Sequence, residues 1–461
     1  MTVRDPAVSS GRLAAISRRV RAIRFRQVVL WIAIAVVVGF ARWRWRQLIG
    51  PQTPFIEWDT QVFQQIAELP FGPGLVVSSK PLVVPLVYRA AHNDALAITG
   101  FQAEVAFAAW TILTATLALV LRSRWTRVLA ICIGLGFLLE PTRVGFATSM
   151  MPESINDSLM ALTVAGLLAV VRLRRRPRIA AAVATGVLGL TWLFTRDVNL
   201  IVALTGTGLA MVIWRGWKSR AAWLVGSSVV VASLVGLWST TVAHAPLPYQ
   251  QGWDVAFTPR GTYPLITNLV ERMARSDDPA DLPAAFHQFP GAMAFVWAAE
   301  GRPLHGWVVE RGAASYARWL VRHPLDRIAE LVASRWHVLG STLSKSMPGH
   351  WVYPAISARK LTSNHWILTL LVLASPVLLR RPRADPMCGL MLCIVVSSAV
   401  GAAAAYYGDA TELTRHCYGA GQQLVLGLFL AFLAWADRVA LARPSAAIGA
   451  SGSDPLRARS P

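Results

Sequence analysis

Long apolar runs separated by short polar breaks recur along nearly the whole chain, at about 27–44, 95–121, 128–144, 154–171, 179–195, 198–214, 221–243, 363–379, 387–405 and 420–437. Each approaches the roughly 17–25 residues that carry a helix across a ~30 Å hydrocarbon core. The pattern predicts an all-α polytopic membrane protein with about ten transmembrane helices. The first run is the weakest, because Arg42 and Arg44 must snorkel to the interface. No small-residue cleavage site follows it, so it reads as an uncleaved helix rather than a signal peptide.

Two connections are too long to be simple turns. The first, 45–94, is partly apolar and carries both signs of charge: the close acids Glu57 and Asp59, Pro-Gly breaks at 70–74, then Lys80-Pro81. Long structured connections are usually functional or disordered, and this composition is too apolar for disorder. A short helix is expected over Thr60–Leu69. A second is expected within 78–91, with Pro81 in its first turn and Ser78 or Ser79 as cap. The other long connection, 244–362, includes ASYARWLVRHPLDRIAELVASRWHVL (314–339). There Leu320, Leu325, Ile328, Leu331, Val332 and Trp336 recur at helical spacing, flanked by Arg318, Arg322, Arg327 and Arg335. That stretch reads as one amphipathic helix lying in the membrane interface.

Charge orients the helices. The net charge of +21 would suggest nucleic acid in a soluble protein, but its distribution does not. With the N-terminus in the cytoplasm, the inner pieces are 1–26, 122–127, 172–178, 215–220, 380–386 and 438–461. They hold 25 of the 45 basic residues. With Asp437 at a boundary they hold four acids of 24, the others being Asp5, Asp385 and Asp454. This is the positive-inside pattern, with both termini cytoplasmic. The chain then divides into a basic tail (1–26), an N-terminal membrane module (27–243), the large outer segment (244–362), a C-terminal membrane module (363–437) with an outer loop at 406–419, and a disordered tail (438–461). The four cysteines show neither a disulfide framework nor zinc spacing.

The titratable groups fall mainly on the outer side. Away from the ends of the predicted runs, Glu104 is the one acid inside a predicted helix, and all nine histidines lie outward or at the rim. In the turn 139–160, Glu153, Asn156 and Asp157 stand at i, i+3 and i+4 and share one helix face. Compensation of the helix dipole is one reason for acids there and ligand binding is another. FTRDV (194–198) places Arg196 at an outward hairpin, as an interface residue or as an anion ligand. The loop 406–423 gathers Tyr406, Tyr407, Asp409, Glu412, Arg415 and His416. A Glu412–Arg415 ion pair is its structural explanation, and a binding site is the other.

EWDTQVF (57–63), SSKPLVVPL (78–86), the Pro152-Glu153 turn, the Arg-His-Pro stretch (322–324) and GDATELTRH (408–416), in this helix order, resemble the GT-C glycosyltransferases. These are integral membrane enzymes that use a sugar carried on a polyprenyl phosphate. Familiar members often carry adjacent acids in the first loop, whereas here Trp58 separates Glu57 from Asp59. The resemblance implies transfer with inversion on the outer face of the cytoplasmic membrane, to a glycan, lipid or protein acceptor. Transfer needs a carboxylate to take the acceptor proton and cations to stabilise the departing phosphate. Asp59, with Glu57 as alternate, is the expected base. Lys80, Arg196, Arg415 and His416 are expected on the donor phosphate. Glu153, Asp157, Glu412 and Tyr407 are expected on the sugar or acceptor. Some such enzymes take a divalent metal, but no ligand cluster in this sequence assigns one. No Gly-rich phosphate loop supports a nucleotide-sugar donor. The competing reading is a transporter or flippase. It would be sensitive inside helices two to seven and indifferent at Asp59.

Overall fold

The computed structural model describes residues 34–50, 54, 56, 58–76, 78, 80–173, 176–214, 220–242, 262–278, 282–297, 299–334, 386–408 and 413–450. Among them every element is helical and no strand forms. Four helices are long and apolar enough to cross a membrane: Ala95–Val120, Pro152–Arg172, Met387–Gly408 and His416–Leu441. The chain is thus an all-α membrane protein. Shorter apolar helices span Pro177–Leu193, Val198–Trp214 and Gly226–Gly236, and the predicted run at 363–379 lies outside the described residues.

Residues 34–49 form the first helix, α1, in a compact unit of its own. It continues past the predicted end of the first run at 44, through Trp45–Gln47 of the expected connection. Gly50 ends it at φ +55°, its amide donating to Arg46 O at 2.9 Å. Glycine reaches this left-handed conformation without steric cost, which makes it a natural helix stop.

In the second unit the first connector folds into α2 (Trp58–Glu68), a single turn α3 (Pro73–Val76) and α4 (Val83–Ala90). The α4 helix begins two residues later than Pro81 suggested, with Leu82 rather than Ser78 at its cap position; the Ser78 hydroxyl donates to Lys80 O at 2.9 Å. Pro85 explains the shift. A start at Pro81 would put Pro85 where an intrahelical N–H is required, at about 3 kcal/mol. A start at Val83 puts it among the first amides, which have no helical partner anyway.

The membrane bundle follows as α5 (Ala95–Val120), α6 (Arg124–Leu138), α7 (Pro141–Ala147), α8 (Pro152–Arg172), α9 (Arg176–Leu193), α10 (Val198–Trp214) and α11 (Arg220–Val242). Helix α5 packs on α6 and α8, and α8 on α9. The run 128–144 is not one helix. Pro141 keeps Glu140 extended (φ −62°, ψ 128°), so the chain breaks there and restarts as α7.

Residues 262–334 build a small helical domain. Its elements are α12 (Thr262–Asn268), running into a π-helical turn at Leu269–Met273, a 3₁₀ turn at Ala284–Gln288, α13 (Ala292–Trp297), α14 (Arg302–Trp307), a second π-helical turn at Val308–Gly312, α15 (Ala313–Arg322) and α16 (Pro324–Ala333). Ile266, Leu269, Met273, Phe286, Phe295 and Trp319 fill its core. The expected single helix over 314–339 is two. Pro324 forces His323 out of the helical region (φ −128°, ψ 66°) and takes the first position of α16.

The last two helices are α17 (Pro386–Gly408) and α18 (Leu413–Ala450), packed along each other, with α17 also on α10; α18 runs on through 438–450, the first part of the tail expected to be disordered. The expected outer loop is therefore much shorter. Tyr406 and Tyr407 belong to the last turn of α17, and Arg415 and His416 to the first turn of α18.

The two ends of the bundle differ. At one end Asp437 on α18 accepts from the amides of Arg122 and Ser123 at 3.0 and 2.7 Å and from the Thr126 hydroxyl at 2.7 Å. Arg438 there reaches Cys388 Sγ at 3.0 Å. The turn after α5 and the start of α17 therefore share this end. The described candidate residues Asp59, Lys80, Glu153, Asp157 and Arg196 lie at the other.

Candidate functional site

The first turn of α8 is the centre of that other end. Pro152 occupies its first helical position, and Met151 before it is extended. Glu153, Asn156 and Asp157 project from one face, as their spacing predicted, and all three are buried.

Asp157 meets Arg143 of α7. Nε of Arg143 lies 2.5 Å from Oδ2 and Nη2 3.3 Å from Oδ1. The Trp110 indole of α5 donates to Oδ2 at 2.9 Å, and the same ring lies under the guanidinium, 3.8 Å from centroid to Cζ. Nη1 of Arg143 donates to Phe137 O and reaches Glu140 at 3.5 Å. Both Asp157 oxygens are thus given to protein donors. Pairing, hydrogen bonding and an aromatic face together answer the cost of burying these charges. The arrangement braces α5, α7 and α8.

Glu153, fully buried, pairs with Arg196 at 3.3 Å, and the Arg196 side chain is itself largely buried. One residue expected on the sugar is thereby joined to one expected on the phosphate. Beside them the Asn156 carbonyl accepts from Thr195 Oγ1 at 2.8 Å and Asn199 Nδ2 at 2.7 Å. Asn199 also donates to Trp192 O at 2.8 Å, which ties the α9–α10 turn to α8. Gly419 of α18 lies against the Asn156 amide: a Cβ there would stand 2.7 Å from Nδ2.

The first connector is fastened over this pair. Thr60 donates to Met150 O at 2.9 Å, three residues before Glu153. The amide of Val83 donates to Phe194 O at 3.1 Å, two residues before Arg196. Phe63, Val84 and Tyr88 pack with Ile98, Met150 and Ile155 beneath. Asp59 lies in the first turn of α2, next to Thr60, and only its backbone is described. Glu57 lies outside the described residues. Lys80 Nζ lies 5.6 Å from the Phe63 ring centroid. His416 is half-buried in α18, Arg415 is described only by its backbone, and Glu412 lies outside the described residues.

A second polar cluster joins the 262–334 domain to the end of α17, and sequence reasoning missed it. Arg272 contacts Glu330 at 2.9 Å and Tyr406 O at 2.8 Å, with Cζ 3.9 Å from the Tyr406 centroid. The Tyr406 hydroxyl bonds Glu330 Oε1 at 3.1 Å and Ser334 Oγ at 2.8 Å. Tyr407 donates to Arg327 O at 2.5 Å and Tyr316 to Tyr407 O at 2.8 Å. Arg327 pairs with Glu330 at 3.0 Å and stacks on Trp319 at 3.7 Å. Burial pushes the Tyr316 phenol above its ordinary 10.0, more than nearby Arg272 pulls it down. Tyr407, expected on sugar or acceptor, thus spends its hydroxyl on α16. Glu330 contacts α17 through pairs about 76 residues apart in sequence, a separation that helical periodicity does not encode.

Among the described residues, no three His, Cys, Asp or Glu side chains come together as metal ligands. No protein-family model, no curated protein and no solved structure matches the chain.

Proposed function

We propose that the chain is a membrane glycosyltransferase. It would move a sugar from a polyprenyl-phosphate donor to an acceptor hydroxyl, at the bundle end covered by the first connector and on the outer face of the cytoplasmic membrane. One observation supports this reading above others. The connector that carries Asp59 and Lys80 is hydrogen-bonded to the chain on either side of the buried Glu153–Arg196 pair. Four groups of the chemistry expected for this transfer thereby share one end of the bundle.

In this reaction Asp59, or Glu57 in its place, takes the proton of the acceptor hydroxyl. The acceptor oxygen bonds to the anomeric carbon as the carbon–oxygen bond to phosphate breaks, and the polyprenyl phosphate leaves with the electron pair. Lys80, Arg415 and His416 stabilise that charge. Arg196, already neutralised by Glu153, orients that carboxylate toward sugar hydroxyls. Asp157, held by Arg143 and Trp110, keeps the α8 turn in place.

Transport is the second reading, and buried charge favours it. Glu140, Arg143, Glu153, Asp157 and Arg196 lie between helices, where ionisable groups commonly mark ion paths. The saturated bonding of Arg143 describes a static brace rather than a relay. The deciding experiment is turnover of a panel of polyprenyl-phosphate sugars by purified protein, wild type beside Asp59→Asn. Acceptor-dependent consumption of one donor, lost in the variant, supports transfer. No consumption of any donor, with substrate flux across proteoliposomes unchanged by Asp59→Asn, overturns it in favour of transport.

A further inference from the structure

The side of α15 and α16 turned away from the domain core is apolar and exposed. Val321 is 75% exposed, Leu325 77%, and Ile328 and Val332 57% each. Ala314, Ala317, Ala329 and Ala333 are exposed with them, so one aliphatic stripe continues across the Pro324 bend. The opposite side is occupied: Tyr316 and Trp319 face the domain core, and Arg327 and Glu330 bond the tyrosines of α17. A contiguous aliphatic face of this kind marks an interaction surface.

We propose that this stripe lies in the headgroup–hydrocarbon boundary of the bilayer that α17 crosses. The position of the staple carries the inference. Tyr406 and Tyr407 form the last turn of a helix long and apolar enough to span a membrane, and their hydroxyls bond Ser334 and the Arg327 carbonyl. The α16 helix is therefore held at the level where α17 leaves the hydrocarbon. A helix at that depth with an aliphatic side meets lipid first. Arg318, Arg322, His323 and Asp326 are exposed beside the stripe, and the long arginine stems suit a boundary where apolar carbons are buried and cations stay with headgroups. Arg322 shares its charge with Asp278 at 3.7 Å, so the seat depends on the aliphatic residues more than on anionic lipid. The inference does not depend on the sugar-transfer reading.

The test places an environment-sensitive fluorescent amino acid at position 325, 332 or, as control, at exposed Gln288, in full-length protein reconstituted in phospholipid nanodiscs. The expected result is blue-shifted emission at 325 and 332, quenched several-fold more by brominated lipid than at 288, while 288 responds to aqueous iodide. Iodide quenching at 325 and 332 as strong as at 288 overturns the proposal. So does protection from both quenchers together with cross-linking between 325 positions of two chains, which would make the stripe a contact between copies.

Discussion

Arg143 grips Asp157 side-on through Nε and Nη2 at 2.5 and 3.3 Å, while its third nitrogen turns back to the end of α6. A buried pair of this kind holds geometry more than it adds stability, yet breaking it strands a charge. Asp157→Leu or Arg143→Met is expected to cost about 3–5 kcal/mol. The double replacement Arg143→Met with Asp157→Leu is expected to cost less than either single change. Thermal unfolding of the purified variants in one detergent measures this. A double variant as damaged as the sum of the singles would show that the two residues act apart.

Asp437 plays a comparable part at the other end. Its oxygens accept from two amides and the Thr126 hydroxyl, at the turn where α6 begins and Ser123 supplies no side-chain cap of its own. Hydrogen bonds to a charged group contribute about 1.5–3 kcal/mol. Asp437→Ala should lower stability by about that amount and Asp437→Asn by less, with donor turnover per folded molecule unchanged. A silent Asp437→Ala in the same unfolding assay refutes the capping role.

The shared face of Glu153, Asn156 and Asp157 was legible because helical spacing depends only on local geometry. The runs that became α5, α8, α17 and α18 were legible for the same reason. The partners were not. Arg143 and Glu140 were in view as part of a turn, but nothing local says that the bend at Pro141 swings Arg143 back onto Asp157. Tyr406 and Tyr407 read as loop residues, since Gly408 and Asp409 follow them. In the structure they are helical, and their hydroxyls bond Arg327, Glu330 and Ser334 far away in sequence. Pro85 and Pro324 could have been read more closely: each sits where its missing N–H, or its effect on the residue before, dictates the helix start.

Tyr316 gives the 262–334 domain an alkaline limit. Its phenol is raised in the folded state above its ordinary 10.0. The unfolded chain therefore releases that proton first, and stability present below pH 10 is lost as pH climbs above it. Tyr316→Phe also loses the bond to Tyr407 O, worth about 1 kcal/mol at neutral pH. Chemical unfolding between pH 8.5 and 11.5 should show a variant less stable than wild type at the low end and a smaller gap at the high end. A gap independent of pH would remove the phenol from the explanation.

Gly419 sets how closely α18 approaches α8. A methyl group there would meet Asn156 Nδ2 at 2.7 Å, and that amide is not at liberty to swing away because its oxygen is held by Thr195 and Asn199. Overpacking at such a contact costs about 1–3 kcal/mol. Gly419→Ala should destabilise by that amount, and Gly419→Ala with Asn156→Ala should recover part of the loss in the same unfolding assay. Full tolerance of the single change would mean that α18 has room to move outward.

Glu153 and Arg196 offer the sharpest test of the site, because the proposed chemistry asks them to act as one unit. Arg196→Gln removes the cation facing a fully buried carboxylate and leaves that charge without this partner. Glu153→Gln removes the carboxylate and leaves a largely buried guanidinium without that partner. If Arg196 serves by holding Glu153 toward the sugar, either change removes the same oriented carboxylate. Donor turnover should then fall similarly in both, and the double variant should be no worse than the poorer single. Two residues with separate tasks, one on phosphate and one on sugar, would instead lose activity additively. A cycle of four proteins, scored as kcat/KM for the donor with unfolding measured alongside, separates these outcomes. Additive losses in turnover would return Arg196 to the phosphate and end the description of the pair as one device.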